Sequence, residues 1–203
     1  MYALLGAVEW GYEEDGATLL AHLEKIVQYN VQSSEKEKFD GVMLDIEPYI
    51  SDSWKENPEE YMDRYISCMK KGYKFAQKNH LRTAICIPRH YDNQGLTSGL
   101  EELIKETCDE VAVMNYSCGN EIEAIRTEAA LSEKYGKELH CILEFQEVGK
   151  HGLTENKTYR NKGIDNAKET WEKLQKEYKN INVTRDYHWS RPVREMLEEK
   201  NAD

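Results

Sequence analysis

No apolar run in this 203-residue chain reaches the roughly 18 residues that a membrane-spanning helix requires. The opening stretch MYALLGAVEW has no basic n-region, so it reads as a strand already under way and not as a secretory leader. If the chain is complete, that places it in the cytoplasm. Lys and Arg form no stripe, and they number 27 against 38 Asp and Glu, a formal net charge of −11. Phosphate contacts dominate nucleic-acid affinity, so a chain this acidic is a poor DNA or RNA binder. The same charge disfavours an anionic membrane surface, whereas neutral or cationic substrates suit it. The five cysteines are odd in number and show no CxxC spacing. Cys86 and Cys141 sit inside apolar runs and read as small core residues. This argues for a reducing compartment, or for a fragment of a longer chain whose home the cysteines do not reveal. No zinc pattern, HxH or HExxH occurs, so neither a metal nor another cofactor is expected.

What is present is alternation. Short apolar runs at Tyr2–Val8, Gly41–Ile46, Thr83–Pro88, Glu110–Tyr116, Glu138–Phe145 and Asn182–Tyr187 are separated by helical patterns. Those patterns cover Ala17–Tyr29, Glu59–Asn79, Leu100–Thr107, Ile122–Tyr135, Ile164–Tyr178 and Pro192–Lys200. Such a sequence predicts an α/β fold, a parallel sheet covered by helices, in a single domain over residues 1–203. The polar loops Ser51–Pro58 and Gly149–Gly163 follow strand ends, where barrel enzymes build their sites. Glu13, Glu14 and Asp15 suit the N-terminus of the helix that follows.

The strongest local signal is Phe39-Asp40-Gly41-Val42-Met43-Leu44-Asp45-Ile46-Glu47-Pro48-Tyr49. Side chains alternate along a strand, so Met43, Asp45 and Glu47 share one face and Val42, Leu44 and Ile46 the other. The apolar set packs under helices. Two acids on the other face repel, which raises one pKa, and a carboxylic acid with a raised pKa can protonate a glycosidic oxygen. Glu47 comes last, at the rim that substrate reaches, and Asp45 lies deeper. The bland reading is a pair of buried ion pairs.

FDGVMLDIE resembles the strand-four signature of chitinase-like family 18 glycoside hydrolases. The resemblance implies Glu47 as proton donor and Asp45 as the adjacent Asp, with Asp40 matching the first Asp. Met43 stands where that family carries its middle Asp. Val113-Met114-Asn115-Tyr116-Ser117 is similar to the family's strand-six Met-x-Tyr-Asp, which implies that Tyr116 positions the substrate's acetamido group. Ser117 replaces the Asp. Asp186-Tyr187-His188-Trp189 resembles a strand-eight end whose aromatic, here Trp189, floors a sugar. The chain also resembles uncharacterised bacterial barrel proteins with an FDGxxLDxEPY motif. Their motif order runs through Ala3-Leu4-Leu5-Gly6 with Trp10, Ile87-Pro88-Arg89-His90-Tyr91-Asp92, and Glu144. That order implies a (β/α)8 TIM-barrel type fold, incomplete, holding strands three to eight.

Glu144 closes its apolar run. Glutamates on strands four and seven resemble the two-carboxylate retaining clan of barrel glycosidases, which implies Glu47 as acid/base and Glu144 as nucleophile. Ile46 stands where that clan carries Asn, and a salt bridge from Glu144 to Arg89 or Arg185 is the bland alternative. Asp45, Glu47, Tyr116 and Glu144 are thus the expected catalytic set. Trp10, His90, Tyr91, Asp92 and Trp189 are expected to bind substrate, with Trp54 a further candidate for stacking. Trp171 and the tyrosine stripe at 61–73 read as core. The expected activity is glycoside hydrolysis on a carbohydrate. The alternative is a non-catalytic, inactive or glycan-binding barrel lacking its N-terminal units, whose open strand edges would favour self-association.

Overall fold

In the computed structural model, which describes residues 1–202 and side chains as far as Glu199, every apolar run of the sequence forms a strand. These are β1 (Tyr2–Leu5), β2 (Gly41–Leu44), β3 (Arg82–Pro88), β4 (Glu110–Met114), β5 (Glu138–Glu144) and β6 (Val183–His188). They are hydrogen-bonded in sequence order, and β1–β2, β2–β3 and β5–β6 pair in parallel. Helices follow each strand: α1 (Ala17–Gln32), α2 (Asp52–Glu56), α3 (Pro58–Lys78), α4 (Thr97–Glu106), α5 (Glu121–Ala124), α6 (Arg126–Tyr135), α7 (Ile164–Glu177) and α8 (Ser190–Ala202). Parallel neighbours need such crossovers, so the fold is α/β. No helix among the described residues is long and apolar enough to cross a membrane. The chain groups into two compact units, Met1–Val111 and Ala112–Asp203.

In the first unit two glycines set the approach of the strands. A Cβ on Gly41 would stand 2.5 Å from the Arg82 carbonyl oxygen and 3.0 Å from the Tyr2 ring. A Cβ on Gly6 would stand 1.8 Å from the Asp45 carbonyl oxygen. β1 ends at Leu5, short of the expected Val8, and a 3-10 turn follows at Val8–Tyr12. Val42, Leu44 and Ile46 are fully buried, as the alternation requires, while Met43, Asp45 and Glu47 are half-exposed. β3 is buried from Thr83 to Pro88, the mark of a strand covered on both faces. Leu19 and Leu23 of α1, and Tyr65, Cys68 and Met69 of α3, complete the core. Within the tyrosine stripe Tyr65 is fully buried, as its spacing predicts, while Tyr61 and Tyr73 are half-exposed. Glu13 caps α1 by accepting from the Thr18 amide at 2.8 Å and its hydroxyl at 2.7 Å. Where the sequence reads as a polar loop after Ser51, the Ser51 hydroxyl accepts from the Trp54 amide at 3.1 Å and starts the short α2.

In the second unit the expected helix 122–135 is broken at Ile125, whose backbone leaves the helical region at φ −125°, ψ 19°. α6 then ends on Gly136 in the left-handed region. Trp171 of α7 is 6% exposed, and its indole N–H donates to the Cys141 carbonyl of β5 at 3.0 Å. It is the core residue its helical setting predicts. β5 and β6 run in register from Leu139 opposite Val183 to Glu144 opposite His188.

Candidate active site

Asp45 and Glu47 lie just beyond the end of β2. The Asp45 amide donates to the Leu5 carbonyl at 2.8 Å, so the chain past the strand end stays fixed against β1. Pro48 follows Glu47 and opens a short 3-10 turn, and Tyr12 of the preceding turn donates its hydroxyl to the Pro48 carbonyl at 3.0 Å. That turn folds Tyr49 back so that its phenol donates to Glu47 Oε1. Burial first, then the Glu47 carboxylate, push the Tyr49 phenol far above its ordinary pKa, so it remains a donor. Aromatic rings surround this pair. Tyr49 meets His90 edge-on at 5.2 Å and Tyr91 at 5.9 Å. Burial and the adjacent Arg89 charge lower the His90 imidazole pKa, which favours its neutral form at pH 7.

Trp54 is 3% exposed, and its ring lies 5.6 Å from Tyr91, itself fully buried. These two rings support the site from beneath, and the half-exposed residues beside Glu47 are Tyr49 and His90. Trp10 stacks on His22 of α1 at 4.5 Å. Asp92 starts the turn after β3 and accepts from the Asn93 amide at 2.7 Å. Asp40 stands at the other end of β2 and binds the N-terminal amino group.

The second unit holds the remaining candidates. Glu144 is 2% exposed. Its Oε1 accepts from the Phe145 amide at 2.8 Å and the Gln146 amide at 2.7 Å. Its Oε2 lies 2.8 Å from His188 Nδ1 and 3.2 Å from the Gln146 side-chain amide. The partner is therefore His188, placed opposite by the β5–β6 register, and not Arg185. Burial alone would raise the Glu144 pKa, but hydrogen bonds from His188 and Gln146 outweigh it and hold the carboxyl below its ordinary value. Tyr116 follows Asn115, whose amide donates to Ile142 at 2.9 Å and whose side chain donates to the Glu121 carbonyl at 2.9 Å. The Tyr116 ring lies 6.1 Å from that of His188. Trp189 is 45% exposed and lines a cavity of about 290 Å³ with Gln146, Lys150, Arg160 and Arg191.

The structure thus brings Asp45, Glu47, His90 and Tyr91 together in the first unit, and Tyr116, Glu144 and Trp189 near His188 in the second. Sequence reasoning passed over Tyr49, Gln146 and His188. The Glu-Pro-Tyr order signals a turn that could return Tyr49 to Glu47, and strand pairing alone could have flagged His188.

No known family profile matches the chain, and no curated protein matches it. Among solved structures, the Group II chitinase catalytic domain 2 of Ostrinia furnacalis is similar, with a TM-score of 0.42 and 14% sequence identity. The match covers 71% of this chain and 45% of that one, so the chain spans under half the length of its structural neighbour.

Proposed function

We propose that the protein is a carbohydrate-active barrel of the glycoside-hydrolase type, an incomplete (β/α)8 fold in which Glu47 is the general acid. The observation that carries this is the setting of Glu47. It is a half-exposed carboxylate at a strand end, on the face opposite the buried Val42, Leu44 and Ile46, with the Tyr49 phenol donating to one oxygen. That leaves the second oxygen to carry a proton to a leaving group. Asp45 precedes it on the same face and, like it, is half-exposed. His90 and Tyr49 offer ring surface to a sugar.

Glu144 is a poor nucleophile in this reading. All its strong acceptor directions are used by four donors, and a carboxylate so held would have to break charge-assisted hydrogen bonds to attack. This favours substrate assistance, with Glu144 ordering the end of β5. Fluorogenic glycosides with and without a 2-acetamido group test the proposal. Glu47→Gln is expected to lower turnover by about 10²–10⁴-fold with the fold intact, the range for loss of a general acid. Glu144→Gln is expected to cost far less in turnover than Glu47→Gln. Wild-type hydrolysis that survives Glu47→Gln rejects the assignment of the acid.

The two departures from the chitinase-like pattern, Met43 and Ser117, favour a second reading in which glycans are bound without turnover. Calorimetric binding of chito-oligosaccharides with no product over days would select it.

A further inference from the structure

Two phenols in the first unit take no part in the reaction proposed above. Tyr65 on α3 and Tyr91 after β3 are both fully buried, and neither hydroxyl has a hydrogen-bond partner among the described residues. Phenylalanine would fill the same core space without stranding a polar group, so each hydroxyl calls for a partner. The setting says where that partner lies. The Tyr91 ring is 5.9 Å from Tyr49, which donates to Glu47, and Trp54 closes its other side at 5.6 Å. Tyr65 interacts electrostatically with Tyr91 and with Asp45, and Tyr91 with Glu47. The titratable groups around the two phenols are Asp45 and Glu47 beyond β2, Tyr49 in the next turn, Cys68 on α3 and Cys86 on β3. Asp45 and Glu47 are the acceptors among them that gain most from a donor. Buried water joins polar groups of this kind when several converge on one place.

We propose that the Tyr65 and Tyr91 hydroxyls bind ordered internal water behind the carboxylate pair and donate through it to Asp45, making both tyrosines positioning residues for the site. Donation to the ionised form keeps Asp45 charged. The inference concerns the same site as the proposed function but not its turnover, and its test needs no substrate, so either can fail alone.

The experiment follows the side-chain carboxyl ¹³C shifts of Asp45 and Glu47 against pH in the wild type, Tyr65→Phe, Tyr91→Phe and the double variant. Removing both hydroxyls is expected to raise the Asp45 midpoint by about half a unit or more. It should also leave the double variant no more stable to urea than the wild type. A packing role alone would not move that midpoint. An Asp45 midpoint within about 0.2 unit of the wild type overturns the proposal. So does a gain in stability, the outcome expected when a stranded hydroxyl is replaced by hydrogen. Should the variants fail to fold, the wild type still decides. Magnetisation transfer from water to the Tyr65 and Tyr91 ring protons ortho to the hydroxyl is expected, and its absence overturns the proposal.

Discussion

Gly6→Ala is the sharpest probe of how the strands present Asp45. The added methyl would stand 1.8 Å from the Asp45 carbonyl oxygen and 3.1 Å from its Cα. Ordinary contact for a carbon is about 3.5–4 Å, so one segment must move by well over an ångström. Both are backbone, and no side chain can swing aside. The movement breaks the 2.8 Å bond from the Asp45 amide to Leu5, at the point where the chain leaves β2 for Glu47. Overpacking costs about 1–3 kcal/mol and a lost buried hydrogen bond about 0.5–1.5 kcal/mol, so a loss of roughly 2–4 kcal/mol is expected. Gly99→Ala is the control. There the methyl meets the flexible Met62 side chain at 2.5 Å within α4, and alanine's helix preference, up to about 1 kcal/mol over glycine, offsets the adjustment. Urea unfolding of both variants beside the wild type measures the difference. A Gly6→Ala loss no larger than that of Gly99→Ala would refute the claim that this close approach fixes the site.

Three further outcomes are expected. The folded pKa of Glu144 is depressed, so its contribution to stability is full above the unfolded value near 4.5 and is lost as pH falls through the folded value. Glu144→Gln should therefore destabilise most at pH 7, by about 1.5–3 kcal/mol for each charge-assisted bond lost, and the gap from wild type should narrow toward pH 3 in urea titrations. A gap that is constant with pH would count against the ionised carboxylate. Trp171→Ala should cost about 3–5 kcal/mol, because it empties a buried site and strips the donor from the Cys141 carbonyl. Thermal unfolding close to wild type would show that α7 does not depend on that anchor. Trp189→Ala should change stability by less than about 0.5 kcal/mol, since the ring is half in solvent, while weakening chito-oligosaccharide binding in calorimetry at least tenfold. Unchanged binding would remove Trp189 from the ligand contacts.

The sequence by itself determined the six strands, because runs such as Gly41–Leu44, Ala84–Pro88 and Cys141–Leu143 are apolar throughout, have no polar face to turn outward and must be buried. It also anticipated the alternation of buried Val42, Leu44 and Ile46 with half-exposed Met43, Asp45 and Glu47, which continues past the end of β2. Helix α2 and the break at Ile125 escaped it, since a single turn carries too few residues for periodicity and one residue's backbone angles depend on its surroundings. Only tertiary structure decided the partners. Tyr49 reaches Glu47 through a turn, His188 meets Glu144 through strand register, and Trp54 lies beneath Tyr91 because two separate segments pack there. The last two contacts join residues whose local patterns are silent about one another. Hydrophobic periodicity records which side of a strand is covered, and the chemistry of the site depends on which donor arrives at each carboxylate from elsewhere in the chain.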